Sequence, residues 1–366
     1  MTSGMDSISR PSSSATIASE IGGPTKPGKG SASSGDRGRA GEGGREGERI
    51  LLARFHSLGD VILATGVAQR LVADGNNLDV VTSERLLPIF EGLPIAHLRT
   101  PAELSGAGRF DLVIDLQANT TSRRALRGLG PARACRTRPF ARRWMVFWGR
   151  RRPLPALPHV VGRYAEAVGY PEADPAGLAP RVKVTDRDLD EARAFPRSME
   201  TTAGGDCIGL AVGGSRRMKR WPEDRYRRLA ESLASHGVAS LRFLEPINGG
   251  HGEETGAVRA PLRPLKAILA RCRALVTNDS GVMHLAVGLG IPVIAIFGST
   301  VPEFGFAPLG PLDRVIDRDL ECRPCAVHGA RFCWLGHGRC LRAIGVDEVL
   351  QEALTLVRQG RGGCTE

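Results

Sequence analysis

Three short stretches of this sequence place residues able to hold an anion or move a proton where an apolar strand gives way to a helix. In "RFHSLGDVILATG", residues 54–66, Ser57, Gly59 and Asp60 stand at such a junction. A glycine lets backbone approach a ligand closely, and the free N–H groups of a helix start attract negative charge. Asp60 has two readings there. It is a first-turn acid of the kind that caps helices, or a carboxylate held at a cleft and able to take a proton from an attacking hydroxyl. In "VGGSRRMKRWPEDRY", residues 212–226, two glycines and four cationic residues precede a helix start. Flexible backbone, basic side chains and a helix N-terminus together suit a diphosphate, with Lys219 as the point charge; the other reading is an exposed basic loop. The third stretch is "TNDSGVMHLAVGLGIPVIAIFG", residues 277–298. Asp279 and Ser280 are placed to cap a helix beginning near Gly281. That helix should bury Val282, Leu285, Ala286 and Leu289, leaving His284 off the buried face near the cleft, either as a structural histidine or as a ligand contact.

The elements that must position these turns alternate along the chain. "RILLARF" (49–55), "LDVVTS" (78–83) and "FDLVIDLQ" (110–117) read as buried strands, and "DVILATGVAQRLVADG" (60–75) as a helix closed by Gly75. The pattern restarts near residue 180. "DCIGLAVGG", "ASLRFLE" and "ALVT" are strands; "WPEDRYRRLAESLASHG" is a helix with Pro222 in its first turn, Tyr226, Leu229, Ala230 and Leu233 on one face, and Gly237 as its stop. Strands alternating with helices predict parallel sheets with crossover helices. The expected architecture is α/β, with two Rossmann-like domains facing each other across a cleft at the carboxyl ends of their strands. The first spans 48–180; the second spans 181–366 and includes a Cys-rich segment, 322–340, and a C-terminal helix. Residues 1–47, Gly/Ser-rich and without an aliphatic pattern, read as a disordered leader.

Lys and Arg number 50 against 39 Asp and Glu, a surplus of 11 that favours anionic partners. Much of it sits in residues 123–152, which contain no carboxylate and interleave Trp144, Phe147 and Trp148 among the arginines. This is either a solvated basic surface or a contact for a membrane surface or lipid-linked acceptor. No uncharged apolar run is long enough to cross a bilayer and no signal-peptide core is present, so a cytoplasmic protein is expected. In that compartment the eight cysteines argue for free thiols or a metal before disulfides. Cys322, Cys325, Cys333 and Cys340 lie close enough in sequence to form a structural zinc site, with His328 and His337 as spare ligands; reduced thiols or a disulfide pair are the alternatives. There is no G-x-G-x-x-G fingerprint for a dinucleotide cofactor.

"RFHSLGDVILATGVAQRL", "DLVIDLQANTTSRRAL", "GGSRRMKRWPEDRY", "TNDSGVMHLAVGLGIPVIAIFGST" and the "CRPC...C...C" cysteines occur in the order found in glycosyltransferase family 9, the ADP-heptose:lipopolysaccharide heptosyltransferases. Together they cover most of residues 48–358, and the chain resembles that family. The resemblance implies a GT-B fold, an acceptor held mainly by the first domain, an ADP-sugar held mainly by the second, and inversion at the anomeric carbon with no cofactor or essential metal. Carried over by position, Asp60 is the general base, and Lys219 and Ser215 face the diphosphate, Lys219 as a catalytic charge. Asp279, Ser280, Gly281 and His284 hold donor phosphates and sugar, and Glu253 or Glu254 meets the ribose. Ser57, Gly59, Gln117, Ser122 and Arg123 face the acceptor, although Ala118-Asn119 follows Gln117 where relatives usually have Gly. The implied partners are an ADP-sugar, a lipid-linked phosphorylated glycan and the anionic inner face of the inner membrane. A GT-B transferase using another nucleotide sugar is the near alternative. A nucleic-acid-binding protein is the distant one; aromatic residues are few and the basic run has no reading motif, so no nucleic-acid partner is expected.

Overall fold

Two parallel sheets answer to the alternation in the sequence. The structure, a computed structural model, describes residues 47–136, 139–148, 154–193, 207–244 and 257–361; the leader, but for Gly47, therefore lies outside the described residues. The first sheet contains β1 (Arg49–Ala53), β2 (Asn77–Val81), β3 (His97–Arg99), β4 (Leu112–Asp115) and β5 (Ala132–Ala134), in the order β3-β2-β1-β4-β5. The second contains β6 (Cys207–Ala211), β7 (Ala239–Leu244), β8 (Val258–Arg259), β9 (Ala274–Asn278), β10 (Val293–Ile296) and β11 (Arg314–Ile316), in the order β11-β10-β9-β6-β7-β8. Every pairing is parallel; Ile50 stands beside both Leu78 and Leu112, and Ile208 beside Ser240 and Ala274. The central strands are buried along almost their whole length, as continuous apolar runs in a sheet covered on both faces require.

Helices α1 (Leu58–Ala73), α2 (Thr120–Ala125), α3 (Pro139–Trp148), α4 (Val160–Val168) and α5 (Asp186–Arg193) precede the second sheet in the chain; α6 (Glu223–Ser235), α7 (Leu262–Leu269), α8 (Gly281–Gly288), α9 (Arg339–Arg342) and α10 (Val346–Arg361) follow its strands. No described helix is long and apolar enough to cross a membrane. In α6, Tyr226, Leu229 and Leu233 are buried as the spacing predicts, but Pro222 is the N-cap residue and not part of the first turn. The larger departure is α8. Residues from Val282 to Gly288, His284 included, are all buried, so the helix has no polar face. The reason is its neighbour: α8 packs against α1, and one hydrophobic cluster runs from Ile50 and Ile62 through Leu285 to Phe297, continuous across both halves.

Sheet topology fixes where the loops of interest emerge. In each sheet the strand order reverses about a central pair, β1 beside β4 and β6 beside β9. The turns after these four strands carry Arg54–Asp60, Leu116–Gln117, Ser215–Lys219 and Asp279–His284. They open at the carboxyl ends of the strands, the usual place for a ligand in an open α/β sheet. A second contact fixes the halves to each other. The Lys266 ammonium on α7, fully buried, pairs with the equally buried Asp188 of α5 at 2.7 Å and donates to the Pro88 carbonyl oxygen at 2.7 Å. Such a pair sets geometry more than it adds net stability. Arg263, one turn earlier on α7, grips Glu91 of the first half.

Candidate active site

A cavity of about 840 Å³ lies between the two sheets, lined by residues of all four turns. On its first wall stands Asp60, in the first turn of α1. Its Oδ2 accepts the Ser57 hydroxyl at 2.8 Å and pairs with Arg54 at 2.7 Å, and its Oδ1 accepts from the Tyr164 hydroxyl at 3.3 Å. Arg54 also donates to the Leu116 carbonyl oxygen at 2.8 Å, which ties the end of β1 to the end of β4. Burial by itself would raise the Asp60 pKa, but Arg54, the Ser57 hydroxyl, His284 and Arg142 together hold it below the usual carboxylate value. Asp60 is thus an ionised acid facing the cavity. Ser57 occupies the N-cap position without capping a backbone N–H.

The opposite wall is built around Asp279. Lys219 Nζ lies 2.8 Å from Asp279 Oδ2, which also accepts the Thr300 hydroxyl at 2.6 Å. The capping role expected of Asp279 and Ser280 is not what they do: Ser280 is at the N-cap of α8, but its side chain makes no cap hydrogen bond. Among the described residues the first N–H groups of α8 therefore have no side-chain acceptor, and Ser280 and Gly281 border the cavity. Asn278 acts as a staple. Its Oδ1 accepts the Trp221 N–H at 2.9 Å and its Nδ2 donates to the Gly213 carbonyl oxygen at 2.5 Å, so both ends of the Lys219 loop hang from β9. His284 is buried, and burial pulls its pKa from 6.5 down to about 4, against the pull of Asp279 and Asp60. At neutral pH it is an uncharged hydrogen-bonding group.

Gln117 lines the cavity, its amide 2.9 Å from His56 Nε2, and Ser57, Gly59, Ser215 and Gly281 line it too. Ser122 does not. It is fully buried, its hydroxyl donating to Asp115 at 2.6 Å while Asn119 caps the N–H of residue 122 to start α2, so it shapes the loop and is not an acceptor contact. Arg123, exposed on α2, is also outside the cavity lining. Ala118 sits at φ +52°, in the left-handed region that favours glycine. Glu253 and Glu254 lie outside the described residues. Of the alternatives for the Cys-rich segment, zinc finds no support: among the described residues no three His, Cys, Asp or Glu side chains are arranged to hold a metal ion. His337 lies between Cys322 and Cys333 at 3.9 and 4.0 Å, but each sulfur meets a different ring nitrogen, and burial with the neighbouring thiols pushes Cys325 up to about 11. The segment instead braces the site. Met218 N–H donates to the Ala330 carbonyl oxygen, and the Lys219 stem lies over Gly329, where a Cβ would meet it at 2.5 Å.

Sequence reasoning missed Arg54, Tyr164, Arg142, Arg163 and Thr300, all in the cavity wall. Arg54 was legible as the last residue before a ligand-facing turn. Thr300 follows Gly298 in the loop after β10, while Arg142, Arg163 and Tyr164 come from α3 and α4, away from the glycine-marked turns.

The model of the family described as Glycosyltransferase family 9 (heptosyltransferase) matches residues 103–334. Lipooligosaccharide heptosyltransferase 2 of Haemophilus influenzae is 34% identical over an alignment covering 27% of this chain and 32% of that protein. The chain thus aligns with about a third of that relative's length. Lipopolysaccharide heptosyltransferase 1 of Pseudomonas aeruginosa is 29% identical over 76% of this chain and 86% of its own. Among solved structures, E. coli ADP-heptose lps heptosyltransferase II superposes with a TM-score of 0.62 over 86% of this chain and 99% of that one, at 18% identity, a likeness of fold.

The state of His284 yields a pH prediction. The unfolded chain takes up this proton near pH 6.5 and the folded chain only near 4. Stability should therefore fall as pH drops through that window, by roughly 3 kcal/mol, before the depressed Asp60 and Asp279 add their own losses below it. Urea unfolding from pH 7 to 4 should show this slope in the wild type and a flatter one in His284→Leu; equal slopes would refute it.

Proposed function

Since the chain belongs to glycosyltransferase family 9, we propose that it transfers heptose from ADP-heptose to a hydroxyl of a lipopolysaccharide inner-core acceptor, as an inverting enzyme. The observation that carries this reading is the meeting of two helix N-termini at one cavity, α1 bearing Asp60 and α8 flanked by the Lys219–Asp279 pair. The acceptor hydroxyl attacks the anomeric carbon from the Asp60 side. Its oxygen bonds to that carbon, its proton passes to an Asp60 carboxylate oxygen, and the bond from carbon to the diphosphate oxygen breaks to release ADP. Negative charge grows on the departing diphosphate while the sugar becomes oxocarbenium-like. Lys219, the N–H groups opening α8 and the basic turn at Ser215 and Arg216 are the groups that meet this charge, so the reading assigns no step to a metal. Because Arg54 keeps Asp60 ionised but weakly basic, the proton moves late, and Asp60 also orients the hydroxyl.

A lipid-linked acceptor is supported by α3. Met145 anchors this helix against Val301 and Phe304, while Phe140, Trp144 and Phe147 are 81%, 55% and 79% exposed around an apolar groove, with Arg143 among them. Aromatic rings beside arginines suit an anionic bilayer surface, here the cytoplasmic face of the inner membrane, with the cavity mouth turned to the lipid.

Calorimetry with ADP-heptose, beside UDP- and GDP-sugars, tests the donor. Lys219→Ala should weaken ADP-heptose binding by about 10- to 100-fold. Asp60→Asn should keep donor affinity within a few-fold and lower kcat by about 10²–10⁴. Tighter binding of another nucleotide sugar would replace the donor assignment, and an active Asp60→Asn would remove the base. Vesicles containing anionic lipid should float with the wild type and not with a Phe140→Ser, Trp144→Ser, Phe147→Ser variant; equal flotation would exclude α3 as the contact.

A further inference from the structure

Arg163 is a cation without a counter-charge. It projects from α4 into the cavity wall, only 8% exposed, and among the described residues its guanidinium has no hydrogen bond or ion pair; its Nε is buried and unpartnered. Buried cations are ordinarily paired, because removing a charge from water is costly. The two carboxylates of the cavity are already engaged, Asp60 by Arg54 and Asp279 by Lys219. A second arginine aggravates the imbalance. Arg142 of α3 borders the same cavity, donates to the Phe304 carbonyl oxygen at 3.2 Å, lies over the Phe306 ring, and also leaves its Nε buried and unpartnered. Burial and the nearby Arg163 charge pull it down to about 10.

These arginines come from α3 and α4, whereas the proposed diphosphate contacts come from the turns after β6 and β9. Arg163 is the residue before Tyr164, whose hydroxyl touches Asp60. We propose that Arg142 and Arg163 form a subsite for one anionic group, a carboxylate or a phosphate, carried by the acceptor sugar beside the hydroxyl that Asp60 deprotonates. The subsite rests on the acceptor reading above. Guanidinium groups bind either oxyanion through paired N–H donors, fixing orientation as well as charge. Bound there, the anion turns the neighbouring hydroxyl towards Asp60, and a neutral sugar is disfavoured because it leaves the buried Arg163 and the half-buried Arg142 without a counter-charge.

The test is thermal unfolding of the full chain with ADP in excess, while inorganic phosphate or lactate is titrated separately at constant ionic strength. One of these anions should raise Tm by roughly 3 °C near ten times its Kd. Arg163→Met and Arg142→Met should lose that shift and Arg163→Lys should keep part of it. A shift with phosphate alone assigns a phosphate; with lactate alone, a carboxylate. Without any anion, Arg163→Met should be at least as stable as the wild type, since it removes an unmatched buried charge. Absence of an Arg163-dependent shift with both anions, or a ligand-free Arg163→Met several degrees less stable, overturns the subsite. Failure of the donor reading is seen separately, as ADP leaving Tm unchanged, with both anion arms still readable.

Discussion

The contact on which the site depends is the approach of α1 to α8. A Cβ at Gly59 would lie 2.8 Å from the His284 ring, and one at Gly281 would lie 2.9 Å from Leu58. Both positions must be glycine for the first turns of the two helices to touch. Further along, Ile62 reaches the backbone at Gly288, so the helices run alongside each other with both N-termini opening on one cavity. Everything placed on those first turns follows from this packing: Asp60 on one, the free N–H groups and His284 on the other. The absence of a polar face on α8 is the same fact seen from the core, since a helix wedged between the second sheet and α1 has no side left for water.

Around that contact the electrostatics are arranged in layers. The two acids of the cavity are each paired with one cation, Asp60 with Arg54 and Asp279 with Lys219. Burial meanwhile keeps His284 neutral. Among the described residues the remaining cations of the cavity, Arg142, Arg143, Arg163 and Arg216, form no ion pair with Asp60 or Asp279. A cavity charged in this way is completed by anions from outside, which suits a reaction whose leaving group is a diphosphate. The Cys-rich segment contributes by bracing the Lys219 loop through Gly329 and Ala330.

Much of the fold was legible because buried parallel strands leave continuous apolar runs and their helices leave caps and stops. The edge strands β3, β5, β8 and β11 have two or three residues each and no pattern to read. Helix α3 was hidden in the arginine run, where charge masked a helix whose apolar side is exposed. At the site, residues on glycine-marked turns could be found, because close approach demands glycine. Arg142, Arg163 and Tyr164 could not, since tertiary packing alone carries α3 and α4 to the cavity. Ser122 misled because a hydroxyl at a helix start can serve a ligand or its own loop, and only its burial decides. The cysteine spacing was ambiguous in the same way: proximity in sequence does not by itself choose between free thiols, a disulfide and a metal site.

The central claim is a single displacement in which Asp60 deprotonates the acceptor while Asp279 stays tied to Lys219 and Thr300. The most direct test is the anomeric configuration of the newly formed glycosidic bond, read by NMR on product made from a donor of defined configuration. The account predicts a product anomer opposite to that of the donor. A retained configuration would contradict it, because retention requires a second group to take the sugar covalently before the acceptor arrives.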